Sequence, residues 1–93
     1  MNQSCRLSEN TKRYLERYYC ILDEMIAGMT GAEQTESISY DFIMQMIPHH
    51  QAAIEMSKNL LCYTTNLPLQ GIAENIIREQ TESIGQMQAA LSC

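Results

Sequence analysis

The chain has 93 residues, 45% of them hydrophobic, with 11 Asp and Glu against six Lys and Arg for a net charge of −5. That is the length of one domain, and its few cations argue against a nucleic-acid surface or a site for anionic lipid. No apolar run approaches the ~20 residues that a membrane-spanning helix needs.

The first residues, Met1-Asn2-Gln3-Ser4-Cys5-Arg6, lack the basic start and apolar core of a signal peptide. As written the chain reads as cytoplasmic; removal of an N-terminal export segment would make it an exported protein. Cys5, Cys20, Cys62 and Cys93 are widely spaced and form no C-x-x-C pair. That spacing does not fit a zinc knuckle, a thioredoxin-type motif or c-type haem attachment. In a reducing compartment they are expected as free thiols. Cys5 and Cys62 are expected at one end of the molecule, where oxidising conditions could join them.

The apolar spacing predicts three helices, over about 8–30, 39–63 and 67–91, and no strand. In the first, Leu15, Tyr18, Leu22, Met25 and Met29 recur at steps of three and four, marking one helical face. Ser8 before Glu9 suits an N-cap, and Gly28 and Gly31 loosen the far end. Tyr14, Tyr18 and Tyr19 are read as core or interface residues. Arg13, Arg17, Cys20 and Glu24 form the outward face. Gly31 to Ser37 reads as a loop.

The second helix is expected to start near Ser39, with Ser39 as cap and Asp41 at the positive end of the helix dipole. Its main stripe is Phe42, Met46, His49, Ala53, Met56, Leu60 and Tyr63, widened by Ile43, Ile47, His50, Ile54 and Leu61. Pro48 removes one backbone hydrogen bond, a cost of ~3 kcal/mol in a helix interior. The stripe nevertheless stays in phase across it, which predicts a helix continuing through the proline with a kink; a fresh helix beginning at Pro48 is the alternative. Thr64-Thr65-Asn66 breaks the pattern. The third helix then carries Pro68 in its first turn and a stripe of Ala73, Ile77, Gln80, Ile84, Met87 and Leu91.

Short connections make neighbours antiparallel, so the expected fold is all-α, a single up-down-up three-helix bundle. The apolar faces are wide for so small a chain, which predicts a homodimer completing a larger bundle. If position 30 lies level with 39 and 91, His49 and His50 fall level with Gln80 and with Tyr18 to Cys20. Met25 then falls near Met44, Met46 and Ile84.

Met44 to Met56 concentrates the unusual chemistry. Met46 lies three residues before His49 and four before His50, so it shares a face with either. Met56 follows two turns later. Thioether sulfur with imidazole is a donor set for soft metals, Cu(I) first. Met25 or Met29 could add sulfur from the first helix. Gln80, or a carbonyl freed by Pro48, could fix an imidazole tautomer. A plain structural reading stands beside this one, because methionine stripes fill irregular cores and an inward histidine is commonly a hydrogen-bonded core residue. His49 and His50 are ~100° apart around the helix, so one imidazole is expected to face inward.

The string Asp41-Phe42…Met46-Ile47-Pro48-His49-His50…Ala53-Ile54…Met56 resembles the hallmark of the family known as domain of unknown function 305. Ile76-Ile77…Gln80…Ile84…Gln86-Met87…Leu91 is similar to its third-helix pattern. The resemblance spans roughly residues 39–91. It implies a helical, ferritin-like fold and a role in handling copper or other metals, often in exported proteins. Carried over residue by residue, it implicates Met46, His49, His50, Met56, Gln80 and Met87. Ser83 departs from the acidic residue usual before Ile84, and no Trp stands near Ala90.

A ferritin-like fold also suggests di-iron chemistry, which uses inward glutamates and Glu-x-x-His pairs. The sequence has no such pair, and Glu55 and Glu79 are read as solvated flanks. The functional expectation is therefore a non-catalytic protein that binds a metal ion, Cu(I), through Met46, His49, His50, Met56, Met25 and Met87, with Gln80 in support. The alternative is a structural or oligomeric interaction module with a methionine-rich core and no metal.

Overall fold

A computed structural model describes residues 7–91. Three α-helices account for nearly all of this span: α1 (Glu9–Thr30), α2 (Ile38–Leu61) and α3 (Leu67–Leu91). There is no strand among the described residues. The protein is an all-α, antiparallel up-down-up three-helix bundle.

Each helix start has a side chain that accepts from an otherwise orphaned amide. At α1 the Ser8 hydroxyl accepts from the Thr11 amide at 3.1 Å. At α3 the Asn66 side-chain oxygen accepts from the Leu69 amide at 3.0 Å. At α2 the cap is Ser37, accepting from the Tyr40 amide at 3.2 Å, so Ser39 lies inside the helix. The loop explains this displacement of the start. Asp41 accepts from both the amide and the hydroxyl of Thr35, and the Ser37 amide donates to Thr35 Oγ1. These bonds fold the loop back against the first turn of α2.

α2 runs unbroken through Pro48. It is also the central helix: α1 and α3 each pack against it and do not approach one another. The result is an open layer of helices, 51 × 28 × 15 Å. Toward α1, α2 presents Pro48, Ala52, Glu55 and Asn59. Pro48 meets Gly28, where an added Cβ would lie 2.9 Å from the Pro48 Cβ. Arg17 reaches Glu55 at 3.0 Å, and the Asn59 amide donates to the Tyr14 carbonyl at 3.1 Å. Toward α3, Gln51, Ile54 and Lys58 share a cavity with Thr81, Ile84, Gly85 and Gln88.

The buried residues are few and mostly small: Ile21, Ala52, Ile54, Ser57, Asn59 and Ala73. Among the described residues only Ile21 is a large side chain closed off completely, at 1% exposure. Burial of apolar area is the main favourable term in folding, and the long apolar side chains of α2 contribute only part of theirs.

Candidate metal-binding face

The contacts along α2 correct the register expected from the sequence. Gly28 opposite Pro48, and Met25 in one cavity with Pro48, Gln51 and Ala52, set the histidine pair level with Met25 and its neighbours. Tyr18 to Cys20 lie further toward the other end, where Arg17 meets Glu55. On the α3 side, the cavity that joins Gln51 to Gly85 and Gln88 sets His50 level with Met87. Gln80 belongs more than a turn away. On the α1 side the seven-residue loop accommodates the shift: it doubles back on Asp41, and the first turns of α2 run past the end of α1.

The two imidazoles occupy different surroundings. His49 is exposed and His50 half-buried, so the inward-facing imidazole is His50, although His49 shares the longer sequence stripe. Their ring centroids lie 6.0 Å apart with planes inclined at 60°. Two rings binding one ion through ~2 Å nitrogen bonds have centroids separated by up to roughly 6 Å.

His50 Nδ1 lies 2.9 Å from the Met46 carbonyl oxygen. A carbonyl can only accept, so Nδ1 carries the proton, and in the neutral ring Nε2 keeps its lone pair. The imidazole is thus held in one tautomer by its own helix, one turn back. This is the role expected for Gln80 or for a carbonyl freed by Pro48. The carbonyl that Pro48 deprives of its amide donor is that of Met44, whereas the one used is that of Met46.

The remaining candidates divide by position. Met46 sits one turn from His50, half-buried. Met87 is half-buried on α3 at the level of His50. Met56 is half-buried but two turns on from His49, ~10 Å of helical rise, which sets it apart from a single ion near the histidines. Met25 lines the α1–α2 cavity of about 170 Å³ together with Glu24, Pro48, Gln51 and Glu55. That cavity opens on the face of the layer opposite His49. Helical position therefore sets Met87 near the level of His50 and Met46 one turn before it, with His49 exposed beside them, and sets Met25 and Met56 apart.

Among the described residues no group of three or more His, Cys, Asp or Glu side chains converges on a point that could hold a metal. Glu79 is exposed, as the sequence suggested, but Glu55 is not a free flank. It accepts from Arg17, pairs with Lys58 at 3.6 Å and receives the Gln51 side-chain amide. Cys20 and Cys62 are exposed free thiols, directed to the Glu24 carboxylate and the Lys58 carbonyl respectively. Cys5 and Cys93, and with them the pairing of Cys5 with Cys62, lie outside the described residues.

An all-helical layer whose central helix carries an unbroken Met-Ile-Pro-His-His segment defines the class of protein. No helix among the described residues is long and apolar enough to cross a membrane. The chain belongs to the family described as Domain of unknown function (DUF305), whose sequence profile matches residues 17–91. The match takes in most of α1 as well as the two helices in which the resemblance is readable by eye. No curated protein matches the chain.

Proposed function

We propose that this protein binds a soft metal ion, Cu(I), without catalysing a reaction, and serves its storage, buffering or delivery. The observation that carries the reading is the His50 ring. Its Nδ1 bonds the Met46 carbonyl, which leaves Nε2 with a free lone pair as a donor, and the methionines Met46 and Met87 on the same and the facing helix are the sulfurs we assign to it. Metal-bound histidines usually donate their second nitrogen in this way, which orients the ring and raises its basicity. Thioether sulfur beside imidazole selects Cu(I) over harder ions.

The test is an anaerobic Cu(I) competition titration against a chromogenic chelator. It uses a background with Cys5, Cys20, Cys62 and Cys93 changed to Ser, because thiols alone bind Cu(I). Met46→Ala/His50→Ala is expected to lower affinity by at least tenfold in that background. Unchanged affinity in the double variant would remove this site from consideration.

A second reading is an interaction module that holds no metal. It is favoured by a different observation: Phe42 on α2, Ile26 on α1 and Ile72 on α3 are each more than half exposed. The two readings part on whether Cu(I) binding survives the loss of all four cysteines.

A further inference from the structure

We propose that the apolar broad face of the helix layer is covered by a second copy of this chain, which encloses the Met46–His49–Met56 stripe of α2 in an intermolecular interface. Helical phase locates that face. At ~100° per residue, the row Phe42, Met46, His49, Ala53, Met56 and Leu60 lies about a quarter turn from the α1-facing row of Pro48, Ala52, Glu55 and Asn59. It lies on the side away from Gln51 and Lys58. The neighbouring helices cover it only in part: Met46, Ala53, Met56 and Leu60 are half-buried, while Phe42 and His49 are exposed.

Both flanking helices turn apolar rows the same way. On α1 these are Leu15, Leu22 and Met29, with Ile26 at the margin; on α3 they are Ile72, Ile76 and Met87. Leu60 and Tyr63 share a surface hollow with Tyr14 on this side, which fixes the direction independently of the α2 phase.

Burial is inverted relative to a finished core. On α2 the closed-off residues are Ala52, Ile54, Ser57 and Asn59, whereas Met46, Met56 and Leu60 are half-buried and Phe42 is 57% exposed. A large contiguous apolar surface on a soluble chain marks an interaction site.

Charge and area identify the occupant as another copy. The ion pairs of Arg17 with Glu24 and Glu55, and of Lys58 with Glu55, all lie along the opposite face. The α2 row itself contains no Asp, Glu, Lys or Arg. Two chains of net charge −5 repel through most of their surfaces, and the central α2 row is where they meet without opposing carboxylates, with Glu79, one heptad after Ile72, at the rim. A layer 51 × 28 Å across supplies the ~800 Å² per partner of a stable interface from somewhat more than half its extent. One patch used by both copies closes as a two-fold dimer.

The inference does not depend on metal binding, and its test excludes metal. Sedimentation velocity of the full chain, with chelator and reductant present, is expected to give twice the 10.6 kDa chain mass at micromolar concentration. Ile26→Lys/Ile72→Lys alters two side chains already more than half exposed. It should weaken association at least 100-fold while leaving helical circular dichroism intact. Thr81→Lys, on the opposite face, should leave the dimer unchanged. A wild-type chain that stays monomeric up to ~100 µM would overturn the proposal and assign the face to another partner. So would a dimer that tolerates Ile26→Lys/Ile72→Lys or is broken by Thr81→Lys.

Discussion

Gly28 and Pro48 touch where α1 crosses α2, and the fit between them depends on the missing side chain: a Cβ at position 28 would stand 2.9 Å from the Pro48 Cβ and 3.1 Å from its Cγ. A proline ring cannot swing aside as a long side chain can, so the pair determines how closely the two helices approach. It also fixes the α1–α2 register beside the histidines. The sequence alone suggested that Gly28 loosens a helix end; in the structure it is a close-packing position.

Gly28→Ala should therefore destabilise the protein although alanine is the better helix former. The propensity gain is ~1 kcal/mol, and forced overpacking costs about 1–3 kcal/mol. A net loss near 1 kcal/mol is expected from urea unfolding. In Gly28→Ala/Pro48→Ala the clash is relieved, so the two substitutions should not add. Strict additivity would show that Gly28 and Pro48 do not limit the approach.

The His50 tautomer is directly observable. With Nδ1–H donating to the Met46 carbonyl, nitrogen NMR of the neutral ring should show a protonated Nδ1 and a bare Nε2. Titration with Ag(I) or Cu(I) should then move the Nε2 resonance first. A ring protonated at Nε2 would contradict the geometry and remove the chief support for the metal reading.

Asn59 ties α2 to α1 from a nearly enclosed position, 7% exposed, with its side-chain amide on the Tyr14 carbonyl. Asn59→Ala loses that bond and the packing of the amide, a cost of about 1–2 kcal/mol. Arg17→Ala breaks the pair with Glu55, but the Arg17 side chain is 41% exposed. Water screens such a pair, so ~0.5–1 kcal/mol is expected, less in high salt. Parallel denaturant melts at low and high ionic strength check both: only the Arg17 effect should shrink.

The start of α2 separates two serines. Ser37→Ala removes the hydroxyl that accepts from the Tyr40 amide and should cost ~1 kcal/mol. Ser39→Ala, inside the helix, should be neutral or slightly stabilising. The reverse order in thermal unfolding would move the cap back to the position that the sequence favoured.

The sequence by itself determined the three helices, their antiparallel order and their boundaries to within about two residues, because apolar spacing and caps act over one or two turns. It also carried the Met-Ile-Pro-His-His segment and the continuation of α2 through Pro48, for the stripe keeps its phase on both sides. Register and sidedness were decided only by the tertiary structure. The loop's bonds to Asp41 accompany a slide of α2 along α1; on the other flank α3, which follows its own connection after Leu61, has Met87 rather than Gln80 nearest the level of His50. The main stripe of α2 looked like a core stripe, since hydrophobic spacing records that a face is to be covered but not by what. Here α1 and α3 dock on the two flanks of α2 through small residues, Gly28, Ala52 and Ala73 among them, and the stripe with Met46, His49 and Met56 is left on the open face of the layer.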